Sequence, residues 1–307
     1  MTTKTLSQSA DAIGFARSVR LAWHEARPVV QIVFMLRFLA GAALGATYVG
    51  EVAAATAVTA ALSWLAATWA VYLLNGVADV VEDRANGSTR PIARGDLPEE
   101  TAERIVWALA TTGLVLGALV SPVMLLLVVL MLAVGWAYSM GPRPCKQYMP
   151  GFLVSVFALG VLTYLAGWQA AGAGSPHGPV LVFGIAMSGW MGLAGWTKDL
   201  SDTTGDRLAG RRTLPVLLGE WRARVVMAAA ASLVGWTFVL LSAGLAGDLL
   251  PVAVVVCVGS AVLALVATTP LGQGDRAAKR RPYRVFMVTQ YATHLTLFLC
   301  LALDQVA

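Results

Sequence analysis

Apolar residues along this 307-residue chain fall into long blocks, not an amphipathic alternation. Nine blocks are readable, at about 29–49, 53–75, 103–120, 122–140, 151–171, 179–198, 223–246, 249–269 and 284–303. Each is near the roughly 20 residues that an α-helix needs to cross the hydrocarbon core. Backbone polar groups in lipid must be satisfied internally, so helices are the expected form. Only Ser121-Pro122 separates the third block from the fourth, which predicts a tight hairpin. The pattern predicts an all-α, polytopic membrane protein: a 1–28 N-terminal arm, then one nine-helix domain over 29–307 around a central cavity.

Composition agrees. The chain is 58% hydrophobic and 13% charged, against about 25% charged in soluble domains. Its mean hydropathy is +0.71. The basic residues set an expected orientation. Every Lys and Arg except Arg37 falls on segments that share one side of the membrane when the spans alternate. By the positive-inside rule that side is cytoplasmic. A multi-pass protein of the cell membrane follows, N-terminus in and C-terminus out. The net charge of +5 then belongs to loops beside anionic headgroups, and no nucleic-acid partner is implied. Cys145, Cys257 and Cys300 are too scattered for a disulfide framework or a zinc site.

Two places break the apolar pattern with acids. Asn75, Asp79 and Asp83 end the second block at spacing i, i+4, i+8. On a helix, steps of four drift by only about 40°, so the three side chains share a face. Asp199, Asp202 and Asp206 end the sixth block at i, i+3, i+7. Acids near a membrane are costly and mark function. A basic loop follows each ladder, about 84–102 and 201–221, so the order span, acidic end, basic loop, span occurs twice. Two carboxylate ladders converging from two halves suit hard cations such as Mg²⁺, which share their shell with substrate phosphates. Arg84, Arg90, Arg94, Lys198, Arg207 and Arg212 are placed to take the remaining diphosphate oxygens. Ion-coupled transport is the rival class, but transporters usually set their acids near mid-bilayer, and these lie at helix ends.

The two segments carry a family resemblance. Asn75, Asp79 and Asp83, followed by Arg84, Asn86, Arg90-Pro91-Ile92 and Gly95, resemble the first motif of the UbiA superfamily of intramembrane prenyltransferases. Lys198-Asp199, Asp202 and Asp206-Arg207, running on to Arg212-Thr213 and Pro215, resemble its second motif in the homogentisate and chlorophyll-synthase style. Tyr138-Ser139, Pro142 and Lys146 resemble a shorter signature between them, and Arg27-Pro28 fits before the first span. The resemblance implies Mg²⁺ on Asp79, Asp83, Asp202 and Asp206, with Asn75 and Asp199 close by. It implies diphosphate contacts from Arg84, Arg90, Lys146, Lys198 and Arg212. The implied partners are an isoprenyl diphosphate, a small aromatic or quinone-precursor acceptor and the lipid bilayer. A terpene cyclase that uses the same ionisation without an acceptor is the alternative. Two residues depart from the pattern: Gly76 stands where an Asp is frequent, and Arg211 where an aliphatic residue is common.

Other residues read more plainly. Glu82 is expected as a solvated headgroup-level acid, His24 as interfacial, His177 as an outer-loop residue and His294 as packed. Trp190 and Trp196 flank the second ladder as membrane aromatics. Arg37, alone inside a span, either snorkels or faces the cavity, where it would orient an acceptor or the diphosphate.

Overall fold

A computed structural model of the chain describes residues 14–85, 87–141, 143–208 and 210–304. Asn86, Pro142 and the first 13 residues of the N-terminal arm lie outside the described residues. Among those described, nine helices are long and apolar enough to cross a membrane. A short helix, α1 (Phe15–Glu25), precedes them. The spans are α2 (Pro28–Val49), α3 (Ala54–Ala78), α4 (Glu99–Val120), α5 (Pro122–Ser139), α6 (Met149–Ala170), α7 (Pro179–Leu193), α8 (Glu220–Leu245), α9 (Leu250–Thr268) and α10 (Arg281–Asp304). The predicted hairpin forms at Ser121, whose side chain accepts the Met124 N–H at 3.0 Å while Pro122 starts α5. Pro suits that first helical position because its missing N–H would be orphaned there anyway.

Two apolar cores hold the bundle. One joins Phe34, Phe38, Trp64, Val71, Met124, Met131 and Leu159 from α2, α3, α5 and α6. The other joins Tyr164, Phe183, Met187, Trp190, Phe238 and Val256 around α6 to α10. The halves meet where α2 crosses α6. Gly41 and Gly167 make that crossing close. A Cβ at Gly41 would overlap the Tyr164 carbonyl, and one at Gly167 the Phe38 carbonyl. The small residues of α2 therefore pack within the chain, as small-residue spacing does when backbones must approach.

Residue types at the lipid face follow the same logic. Large apolar side chains such as Leu119, Leu126, Leu240 and Leu299 stay exposed, since lipid tails replace water as their solvent. Aromatics cluster at the end remote from the ladders, where His177 packs edge to face against Tyr48 and Trp168. His294 is fully buried, hydrogen-bonded to the Tyr164 hydroxyl and to the Gln290 carbonyl. His294 is thus packed, as the sequence reading expects, and His177 lies in the loop before α7, away from the ladders.

Candidate active site

Both ladders end their spans with a local break, and the breaks preserve the spacing. The α3 helix stops at Ala78, and Asp79 takes φ −94°, ψ 0° before a short helix resumes over Val80–Ala85. The four-residue bonding continues across it: Asp79 N–H donates to Asn75 O, and Asp83 N–H to Asp79 O. In the second ladder α7 tightens into a 3₁₀ segment over Ala194–Ser201, and Thr203–Leu208 is helical again. Asp202 N–H reaches back three residues to Asp199 O, and Asp206 N–H four residues to Asp202 O. The i, i+3, i+7 spacing is thus the spacing of a 3₁₀-to-α junction, with three residues per turn giving way to 3.6.

The ladders line one cavity of about 850 Å³. Its walls carry Asn75, Asp79, Glu82 and Asp83 from the first half and Asp199, Asp202 and Asp206 from the second. Basic side chains from five segments share it: Arg27, Arg90 and Lys146, then Lys198 with Arg211 and Arg212, then Arg276 with Arg280. Lys146 donates to Asp79 at 2.5 Å, and Asn75 donates its amide N–H to the same carboxylate. Arg90 pairs with Asp83 at 2.8 Å and with the buried Glu25 at 2.7 Å. Lys198 pairs with Asp199 at 3.1 Å and lies 5.2 Å over the Phe152 ring. Arg276 reaches Asp202 at 2.8 Å. Asp206 differs: it accepts a hydrogen bond from Thr213. Burial and the nearby Asp199 carboxylate push its pKa up to about 6.

The loop geometry brings these groups in from a distance. Arg212 N–H bonds to Gln147 O at 3.5 Å, and Arg212 bridges to Tyr148. The second basic loop is thereby stitched to the segment that carries Lys146. Arg27 holds a left-handed backbone at φ 58° directly before Pro28, a combination that costs energy and is kept most readily where a site needs it. Glu25, at the end of α1, accepts the Ile92 N–H at 2.9 Å and fixes the first basic loop. Burial raises its pKa.

Of the sequence-predicted contacts, Arg90, Lys146, Lys198 and Arg212 reach the cavity. Arg84 does not: it turns outward to Glu99 at 2.9 Å, half exposed. Arg94 pairs with Asp96 outside the cavity, and Arg207 is not among its lining residues. Glu82 corrects its expected solvated role. It lines the cavity and pairs at 2.7 Å with Arg211, which also comes within 4.0 Å of Asp79. Arg211, Arg276 and Arg27 are cavity residues that sequence reasoning did not place there. The departure at Arg211 and the Arg27-Pro28 pair of the resemblance were the signals the sequence offered, and Arg276 had none. Trp196 lines the cavity, whereas Trp190 is buried and donates to the Phe286 carbonyl at 3.3 Å.

The donor set suits a hard divalent ion brought in with a phosphate. Among the described residues no three His, Cys, Asp or Glu side chains converge as a protein-only metal cage. Mg²⁺ does not need one, since it keeps waters and binds one or two carboxylates plus substrate oxygens. Below the ladders lies a second chamber of about 200 Å³, mostly apolar. Arg27, Asn75, Tyr138, Phe152 and Lys198 border both spaces, so the two are adjacent.

Known proteins resemble this chain in sequence and in fold. The model of the UbiA prenyltransferase family matches residues 34–290. The digeranylgeranylglyceryl phosphate synthase of Halobacterium salinarum is 32% identical over 270 residues, covering 81% of this chain and 86% of that one. The diterpene cyclase eriG of Hericium erinaceus is 29% identical over 158 residues, about half of each chain. The fold matches a UbiA homolog from Archaeoglobus fulgidus bound to GPP and Mg²⁺. That match has a TM-score of 0.72 at 19% identity and covers 92% of this chain and 99% of that one.

Proposed function

The chain belongs to the UbiA prenyltransferase family, and on that premise we propose that it alkylates a small aromatic or quinone-precursor acceptor with an isoprenyl diphosphate. The observation that carries the reading is the pairing of two ladders with a set of cations in one cavity that shares a wall with an apolar chamber.

Asp79, Asp83, Asp202 and Asp206 are the residues that would hold Mg²⁺, with Asn75 fixing the Asp79 carboxylate. Bound Mg²⁺ supplies charge to the diphosphate oxygens and makes the group a better leaving group. Lys146, Lys198, Arg211 and Arg212 meet the charge that develops on the leaving oxygens. Each of the first three already contacts an acid, so binding a diphosphate exchanges one anionic partner for another. The C1–O bond breaks with its electron pair leaving on the diphosphate. A ring carbon of the acceptor then forms the new bond to C1 and loses its proton to the diphosphate or to Asp199. The apolar chamber keeps water from the allylic cation.

A second reading, cyclisation of the prenyl chain without an acceptor, is supported by the half-length similarity to eriG. One assay separates them. Protein in nanodiscs is given Mg²⁺ and geranyl, farnesyl or geranylgeranyl diphosphate, with and without phenolic acceptors. Prenylated arene is expected, abolished by chelator. Cyclic hydrocarbon from donor alone, with phenols present, would sink the transferase reading. Full turnover in chelator would sink the metal clamp. We place the ladder end in the cytoplasm on the strength of the one-sided Lys and Arg distribution. Cysteines introduced at Ala93 or Leu208 should be labelled only from that side and one at Gly174 only from the other, and the reverse pattern would overturn the orientation.

A further inference from the structure

The inner chamber contains a charge that its apolar character does not explain. Arg37 lies within α2 with none of its surface exposed, and its side chain borders the chamber. One terminal nitrogen donates to Gln290 Oε1 at 2.7 Å and contacts the Met191 sulfur. The guanidinium lies 5.4 Å over the Phe34 ring. Its Nε and other terminal nitrogen make no well-formed hydrogen bond, and neither does Gln290 Nε2; the Tyr164 hydroxyl lies close to the guanidinium but is already bonded to His294 and carries no charge to offset it. Arg37 only donates, so the amide oxygen of Gln290 must face it, which leaves the amide NH₂ as a further unpaired donor. No Asp or Glu is among the chamber's lining residues, while Arg27 and Lys198 add positive charge at its mouth. Buried charges are normally paired and buried donors normally bonded. A ligand with the opposite complement would settle all of these groups at once.

We propose that Arg37 and Gln290 form the docking site for a compact oxyanion, a carboxylate or a phosphate, borne by the acceptor. This rests on the prenyl-transfer reading and names the acceptor class for it. A guanidinium presents parallel N–H groups that match a carboxylate or phosphate in a fork. The amide NH₂ of Gln290 adds a third donor from the opposite helix. Size agrees: a dry cavity of about 150 Å³ holds benzene, so about 200 Å³ takes one ring with a small substituent. The anion then sits deep, and the ring is held below the diphosphate clamp, where Asn75 and Lys198 border both spaces. The fixed positive charge also disfavours a carbocation migrating along a chain folded into this chamber, which sets the site against cyclisation.

The test uses the full-length protein in nanodiscs and two readouts. The first needs no turnover: benzoate and phenyl phosphate are each titrated, and thermal unfolding is followed. At least one should raise the unfolding temperature of the wild type, and which does so distinguishes carboxylate from phosphate. Benzamide should not, and Arg37→Gln should abolish the shift. The second is the ratio of kcat/KM for 4-hydroxybenzoate over 4-hydroxybenzamide, or for the phosphate-bearing pair if phenyl phosphate is the stabilising probe. Losing one partner of a buried charged pair is large, so Arg37→Gln should lower that ratio by about 30-fold or more. Arg37→Lys, which keeps the charge but not the fork, and Gln290→Leu should give intermediate ratios and stand in if Arg37→Gln does not accumulate. Stabilisation by geranyl diphosphate with Mg²⁺ checks that each variant is folded. An unchanged ratio in folded variants, or no anion-dependent shift in the wild type, overturns the proposal. Anion stabilisation without transfer to any phenol would instead overturn the transferase reading and leave the anion site standing.

Discussion

The two acidic ladders are alike in sequence and unlike in electrostatics. The first is compensated by side chains that are themselves largely buried: Asp79 by Lys146, with side chains 12% and 11% exposed, and Asp83 by Arg90. The second is split. Asp202 is 40% exposed and faces an Arg276 that is 72% exposed, so solvent screens that pair to little. Asp206 is nearly buried, shares its surroundings with Asp199 and relies on a Thr213 hydroxyl. One ladder carries cations that hold its shape, whereas in the other Asp206 makes no ion pair among the described residues, and Arg211 and Lys198 offset its burial only in part. The difference assigns them unequal work. The first is a preset frame, and the second gains most when a divalent ion arrives.

Substitution of the acids gives the largest effects and tests that inequality. Asp→Asn keeps size and removes a ligand charge. We expect Asp79→Asn and Asp206→Asn to lower kcat/KM by at least about 100-fold, the scale seen when a preorganised electrostatic group is removed. Asp202→Asn should lose more than about tenfold but less than Asp206→Asn. Equal losses at Asp202 and Asp206 would erase the contrast within the second ladder, and full activity in all three would make the acids mere surface groups. The cations come next. Lys146→Met removes a buried partner and should cost about tenfold to 100-fold in the affinity for a prenyl diphosphate. Arg276→Met, at an exposed pair, should cost only a few-fold. A reversed order, measured by diphosphate binding to both variants, would show that the exposed loop and not the frame governs capture.

The contrast also marks how far the sequence could be read. Nine spans, the Ser121 hairpin and the two ladders follow from period, length and chemistry, because lipid leaves a chain so few options. The helix breaks at Asp79 and Asp202 do not follow from it, and they matter less than expected since bonding crosses them. What escaped was the facing of side chains in the short helices and loops that follow each ladder. Arg84 follows Asp83 directly yet points away to Glu99, whereas Glu82 and Arg211, 129 residues apart, meet across the cavity. A six-residue helix after a break and the loops beyond it give too little period from which to read a face. Arg276 belongs to a segment with no motif at all, and its reach to Asp202 is a property of the closed bundle. Arg37 was visible as an anomaly, a lone charge in a span, but its missing partners needed coordinates.

The smallest effect expected is also the most direct reading of Asp206, the carboxylate of the second ladder that makes no ion pair among the described residues. Burial and Asp199 raise the pKa of Asp206 from 3.8 to about 6, whereas an unfolded chain would titrate it near the ordinary aspartate value of about 3.9. Between those values the folded protein holds the extra proton. The stability contributed by protonated Asp206 is therefore fully present below about pH 4 and is lost as pH rises through about 6. In metal-free protein, the difference in unfolding temperature between the wild type and Asp206→Asn should widen over that window, with the variant the more stable at pH 7. Partial solvent access limits the gap to a few degrees, on the order of 1 kcal/mol. Added Mg²⁺ should close it, because the ion supplies the positive charge that the proton supplied at low pH. The comparison is read by thermal scans at pH 4.5 to 7.5 with and without Mg²⁺. A pH-independent gap would mean that Asp206 is already compensated and that the two ladders are electrostatic equals.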